Sequence, residues 1–150
     1  MPFKNYFFVG MQLALFIAWI FDFESLKFNR LELLQPVFLV LSGLGFLLII
    51  IALLQLNTNL SPFPKPKDNA ILITSGVYKY VRHPIYSGIL VALFFLAFYF
   101  SSSYKIIIVL LLVLLFWYKS KYEEEQLCLK YSNYRDYRQH TGRFSPKFIR

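Results

Sequence analysis

The chain is 150 residues long, 57% hydrophobic and 20% aromatic, with a formal net charge of +8. Soluble domains sit near about 45–50% apolar, so the composition excludes an ordinary soluble domain, and the length supports one domain. One cysteine (Cys128) and two histidines exclude an internal disulfide and give no zinc-ligand spacing.

Tyr6 to Phe21 is apolar except for Gln12. The run ends in Phe21-Asp22-Phe23-Glu24 with no small-residue cleavage site, so it reads as a transmembrane helix, about residues 6–21. Gln12 reads as a helix–helix hydrogen bond or a pocket residue. Asp22 to Glu32 is a short charged loop. Leu33 to Leu56 is the second span, long enough at ~1.5 Å per residue to cross ~30 Å of hydrocarbon. Gly43 and Gly45 lie mid-span, where small residues admit a close neighbour.

Asn57 to Val81 is the longest polar segment. Pro62, Pro64 and Pro66 break any regular helix at its start, and Lys65, Lys67 and Asp68 keep it in water or at headgroups. Asn59-Leu60-Ser61 matches a glycosylation acceptor, idle if this loop is cytosolic. The third span covers about residues 85–104, and Ser101-Ser102-Ser103 is a turn signal. The fourth covers about 104–119. Ile106 to Tyr118 makes only ~20 Å of helix, so it must extend at both ends. These two spans predict a tight hairpin. Glu123, Leu127 and Tyr131 recur every four residues, which carries the last helix to about Tyr131. Gly142 to Pro146 reads as irregular.

Four spans put both termini and the 57–83 loop on one side. That side holds thirteen basic residues: Lys4, Lys65, Lys67, Lys79, Arg82 and the eight from Lys119 onward. The other side holds Lys27, Arg30 and Lys105. The positive-inside rule makes the richer side cytosolic. The predicted fold is an all-α integral membrane protein of one domain, with four transmembrane helices, a cytosolic loop and a C-terminal helical extension.

Two polar clusters flank the hairpin. One offers Tyr78, Arg82, His83 and Tyr86; the other offers Lys119, Tyr122, Glu123 and Glu124. Arg82-His83-Pro84 against hydrocarbon reads either as an interfacial anchor or as residues facing protein, water or a ligand. Glu123-Glu124-Glu125 reads as a solvated run or as an ammonium site, and aromatic faces nearby would suit a sulfonium. No nucleotide fingerprint and no Ser-His-Asp or Cys-His nucleophile stands out. His140 reads as a surface residue and Cys128 as inert packing.

Leu72-Ile73-Thr74-Ser75-Gly76-Val77-Tyr78, followed by Arg82-His83-Pro84-Ile85-Tyr86-Ser87-Gly88, resembles the cofactor motif of the isoprenylcysteine carboxyl methyltransferase family. Glu123-Glu124-x-x-Leu127, with Tyr131, Tyr134, Tyr137, Arg143 and Pro146, resembles that family's tail. The broader group includes phospholipid methyltransferases.

The resemblance implies S-adenosylmethionine bound at the cytosolic membrane face by motifs at 70–88 and 119–146. It implies that Ala70, Ile71, Leu72 and Ile73 line the cofactor through their backbone, that Tyr78 contacts it, and that His83, Pro84, Ile85 and Tyr86 wrap it. Glu123 would hold the methionine ammonium. Lys119 falls where prenylcysteine enzymes carry an arginine that orients the substrate carboxylate; lysine supplies a point charge in place of a bidentate fork. No catalytic residue and no metal is implied. The expected activity is methyl transfer to a membrane amphiphile, with an isoprenylcysteine-like carboxylate as acceptor. The alternatives are a phospholipid or other amine N-methyltransferase, a non-catalytic lipid-binding subunit, and, more distantly, a membrane reductase. The expected partners are a lipid-like or prenylated substrate and membrane lipids, not nucleic acid.

Overall fold

The structure is a computed structural model that describes residues 2–57, 63 and 71–147. Ala70, the three prolines Pro62, Pro64 and Pro66 and the Asn59-Leu60-Ser61 triplet lie outside the described residues. Among the described residues, five α-helices follow in order: α1 (Pro2–Ile20), α2 (Gln35–Leu56), α3 (Pro84–Tyr99), α4 (Ser103–Lys130) and α5 (Tyr134–His140). Short 3₁₀ turns occupy Glu24–Leu26, Glu32–Leu34 and Gly76–Lys79. Among the described residues the only β-pairing is isolated bridges, so this is an all-α membrane protein.

The segments carrying α1, α2 and α4 are long and apolar enough to cross a bilayer, and α3 is a shorter apolar helix. Each helix has a local cause. Pro36 and Pro84 sit in the first turns of α2 and α3, where a missing N–H costs nothing. α3 stops at Tyr99, short of the expected 104. Ser101 takes a left-handed φ of 53°, Ser101 N–H donates to the Phe98 carbonyl (3.0 Å), and Ser102 N–H donates to the Ala97 carbonyl (3.0 Å). This paired closure satisfies the last carbonyls of α3. Ser102 then caps α4, its Oγ accepting from Lys105 N–H at 3.3 Å. α4 runs 28 residues without a break, about 42 Å at the standard rise. It therefore crosses ~30 Å of hydrocarbon and projects well beyond it.

α4 is the centre of the assembly. Its buried Ile108, Leu112, Leu115 and Phe116 pack against Phe8, Leu15, Phe16 and Trp19 of α1, and against Tyr86, Ile89, Leu90 and Leu93 of α3. The outer face of α3 carries α2. There the two backbones nearly touch: a Cβ on Gly45 would lie 2.6 Å from Ala92 N, and one on Gly88 2.7 Å from the Gly45 carbonyl oxygen. Gly43 takes no part, since its Cβ position is open. Only one of the two mid-span glycines thus admits a neighbour. The apolar outer faces, such as Leu39, Val40, Leu44 and Leu54 of α2, stay exposed, as a lipid-facing surface would.

The two ends of this assembly are tied differently. At one end the 21–34 loop meets the α3–α4 turn: Phe28 N–H donates to the Ser101 carbonyl (2.9 Å), and Ser102 Oγ donates to Asp22 Oδ1 (2.7 Å). Lowered by the Ser102 and Phe23 hydrogen bonds against a desolvation cost, the Asp22 pKa lies below the usual carboxylate value. At the other end sit the start of α1, the 3₁₀ turn before α3, the projecting half of α4, and α5. Lys4 lies over the Tyr122 ring (5.8 Å) and Phe8 stacks on it (6.0 Å).

Candidate functional site

Residues 71–83 reach α3 by a chain that is neither helix nor strand until Gly76. Gly76 has a φ of 59°, and a Cβ there would lie 2.3 Å from Gln55 Nε2. The left-handed turn requires glycine, while the Gln55 amide is the movable end of a side chain. Gln55 Oε1 in turn accepts from Val77 N–H (3.0 Å). The Tyr78 side chain is buried and its hydroxyl donates to the Ala52 carbonyl on α2 (3.3 Å). Burial first, then the neighbouring Tyr137 and the Glu123 charge, raise its pKa above the usual tyrosine value, so it stays a donor.

The C-terminal segment completes the wall. Arg82 N–H donates to the Gly142 carbonyl (2.8 Å), Gly142 N–H to the Tyr80 carbonyl (3.2 Å), and His83 N–H to the Arg143 carbonyl (3.1 Å). Ser87 Oγ donates to the Phe144 carbonyl at 2.7 Å. The stretch expected to be irregular has no helix, yet it is pinned along its length. A Cβ on Gly142 would fall 1.7 Å from the Ser145 carbonyl oxygen, so no other residue fits that turn.

The two polar clusters meet. Tyr86 Oη donates to Glu123 Oε1 at 2.6 Å, and His83 Nδ1 lies 3.4 Å from Glu123 Oε2. The His83 ring stacks parallel on Tyr86 (5.5 Å, 6°), and Tyr86 stacks on Phe116 (4.4 Å, 13°). Lys119 Nζ lies 5.3 Å from the centroid of the same Tyr86 ring and donates to Gln12 Oε1 at 2.7 Å. Pro84 is buried and Ile85 half-buried. Leu72 and Ile73 are half-buried, while Ile71 is 68% exposed.

Glu124 does a separate job. It is 1% exposed and faces Arg82 Nε (2.9 Å), His83 Nε2 (3.3 Å), Arg143 Nη2 (3.0 Å) and Arg138 Nε (3.4 Å). Arg82 also donates to the Arg138 and Thr141 carbonyls. One buried carboxylate thus ties the entrance of α3 to α4, to α5 and to the tail. Burial works to lower the His83 pKa, but hydrogen bonds from its ring to the Glu123 and Glu124 carboxylates outweigh it and raise the value, favouring the imidazolium.

Sequence reasoning brought His83, Tyr86, Lys119 and Glu123 together but missed the Glu124 hub and the partner of Gln12. The Glu123-Glu124-Glu125 run upstream of Arg138 and Arg143 was the signal available for the hub. Among the described residues no group of three His, Cys, Asp or Glu side chains could hold a metal ion. His140 is on the surface, 3.7 Å from Asp136.

The model of the isoprenylcysteine carboxyl methyltransferase family matches residues 37–130, which is 94 of the 150. The chain belongs to the isoprenylcysteine carboxyl methyltransferase family. The match runs from α2 to the last residue of α4, so it contains His83, Tyr86, Lys119, Glu123 and Glu124. α1, with Gln12, and the segment carrying Arg138 and Arg143 lie outside it. No curated protein matches the chain. Membership in this methyltransferase family, with several apolar helices, makes it a multi-pass membrane protein of a methyl-transferring class.

Proposed function

We propose that the protein transfers a methyl group from S-adenosylmethionine to a membrane-embedded amphiphile, with the carboxylate of an isoprenylcysteine-like molecule as acceptor. The observation that carries this reading is the closure of His83 and Tyr86 onto Glu123, which joins the entrance of one helix to the projecting half of its antiparallel neighbour.

The donor set fits the cofactor. Glu123 keeps acceptor capacity beyond its bonds to Tyr86 and His83, since each carboxylate oxygen has a second lone pair. It can therefore take an ammonium. The stacked His83, Tyr86 and Phe116 rings form an aromatic wall beside it. Pro84 and Ile85 close the apolar side, and the irregular backbone of Ile71, Leu72 and Ile73, with Ala70 before it, is the proposed strip along the nucleoside. Tyr78 supports that wall from the α2 side. Bound there, S-adenosylmethionine supplies a methyl already activated on a sulfonium. The chain then has to position, and to keep water out, which supports a site with no assigned catalytic residue.

Lys119 provides the cation for the acceptor carboxylate. A carboxylate is ionised near neutrality and needs no base. An amine acceptor would need one, and His83, held between Glu123 and Glu124, is biased toward keeping its proton. The exposed apolar faces of α1 and α2 support entry of the acceptor from the bilayer. The excess of basic residues supports a cytosolic location for this end, with both termini and the 57–83 loop.

Titration calorimetry on detergent-purified protein tests the reading. Wild type is expected to bind S-adenosylmethionine, and Glu123→Ala to bind it at least about a hundredfold more weakly, as loss of a charge-assisted contact requires. Unchanged affinity in the variant removes Glu123 from the site. No binding by wild type favours the non-catalytic lipid-binding alternative.

A further inference from the structure

The projecting half of α4, α5 and the tail enclose a cavity of about 680 Å³. That volume lies within the range of small-ligand sites, about 300–1,000 Å³. Helical spacing builds its walls. Glu125 and Cys128 stand three apart on α4, and Arg135 and Arg138 stand three apart on α5, so each helix presents one stripe to the cavity. Lys147 of the tail joins them, its Nζ donating to the Gln139 carbonyl at 2.7 Å. Three cations thus line the cavity against one carboxylate, Glu125. The single acid of α5, Asp136, lies 3.7 Å from His140 and off the cavity wall.

The cations keep donors to give. Arg138 Nε lies 3.4 Å from Glu124 Oε2, which leaves the two Nη groups of its fork. Lys147 spends one of three donors on Gln139. Arg135 is exposed and makes no ion pair among the described residues. Like charges gathered in one concavity repel unless an anion joins them. A guanidinium fork matches two phosphate oxygens at once, and an ammonium supplies a point charge for a third. A phosphate monoester carries about −1.5 to −2 charges on three acceptor oxygens, the count that suits this lining. Depth admits two sources. Cys128 lies ten residues past Tyr118, where the uncharged run of α4 ends, or about 15 Å along the helix. That reaches the outer edge of the headgroups and the water beyond.

We infer that this cavity binds a phosphate monoester, with Arg135, Arg138 and Lys147 on its oxygens. It is separate from the wall of His83, Tyr86 and Glu123, and it requires neither the methyl donor nor the acceptor read there. Arg138 is the one cavity cation that also reaches the Glu124 hub.

The test uses the full chain in detergent. Glycerol 3-phosphate is the soluble probe, and dioctanoyl phosphatidic acid mixed into the micelles is the lipid probe. Sodium chloride at matched ionic strength controls for screening. Calorimetry reads affinity, and because Cys128 is the only cysteine, its alkylation rate reports on this cavity alone. At least one probe is expected to bind with a Kd below about 1 mM and to slow that alkylation. Arg135→Gln and Lys147→Gln are each expected to weaken binding about tenfold, the scale of one charge-assisted contact, with the probe-free melting temperature unchanged. Lys121→Gln removes the same charge from an exposed position of α4 outside the cavity, and is expected to bind as wild type does. Binding of glycerol 3-phosphate assigns a soluble ligand; binding of phosphatidic acid alone assigns a lipid headgroup. The inference is overturned if neither probe binds beyond the chloride control, or if bound probe leaves Cys128 alkylation unchanged. It is equally overturned if Lys121→Gln weakens binding as much as Arg135→Gln, since that marks general attraction to a basic surface.

Discussion

α4 buries two lysines, Lys105 and Lys119, at 3% and 2% exposure. They are fourteen residues apart, close to four helical turns, so both face α1. Their partners differ in kind. Lys105 Nζ donates to the backbone carbonyls of Trp19 (2.6 Å) and Phe21 (3.1 Å), and lies 4.3 Å from the Trp19 ring centroid. It caps the end of α1, satisfying carbonyls that the helix cannot satisfy itself. Lys119 donates to a side chain, Gln12, and sits beside Tyr86 and Glu123. A backbone carbonyl cannot move without moving its helix, whereas a side-chain amide can turn. The same residue type on the same face of one helix therefore reads as a fastening at one end and as an adjustable group at the other.

The largest effect that would test this contrast lies at Glu124. Glu124→Gln leaves Arg82 and Arg143 buried without their anion, and is expected to cost about 3–5 kcal/mol of unfolding free energy by chemical denaturation in detergent. A loss under about 1 kcal/mol would mean that the polar end is not held by this hub. Next comes Lys105→Met, expected to lower stability by about 1–3 kcal/mol while S-adenosylmethionine binding is unchanged. Lys119→Met should invert that pattern, with little change in stability and weaker binding of an S-prenylcysteine free acid than in wild type. Equal stability losses for the two lysines would erase the contrast.

The smallest expected effect is the pH dependence of melting temperature. The His83 pKa is raised above its ordinary 6.5, so the imidazolium is the better-bound form. Its contribution is complete below the ordinary value and is lost as pH rises through the raised one. Melting temperature is expected to fall across that window in wild type and in Lys105→Met. The fall is expected to be absent in His83→Gln. A slope that survives His83→Gln would assign the titration elsewhere.

Much of the fold was legible locally. The apolar runs announced four helices, and the four-residue recurrence of Glu123, Leu127 and Tyr131 announced an extension that ends at Lys130. The stop of α3 at Tyr99 was less legible, because Phe100 continues the apolar pattern and the break depends on Ser101 entering a left-handed conformation. Gly43 and Gly45 looked alike in sequence, yet only Gly45 lies against α3. In the site, the meeting of the cluster around His83 and Tyr86 with the cluster around Glu123 and Glu124 followed from antiparallel neighbours. The partition between Glu123 and Glu124 did not.

Composition and hydropathy by themselves determined the membrane class, the apolar helices and the charge asymmetry of the two ends, while the motif residues pointed to the family only by resemblance. Those are local or summed properties, readable without knowing what touches what. Only tertiary structure decided that Glu123 faces Tyr86 while Glu124 gathers Arg82, Arg138 and Arg143, and that Gln12 reaches Lys119 across 107 residues of chain. Neighbours on a helix point roughly 100° apart, so adjacent glutamates enter different surroundings, and packing alone chooses which ones.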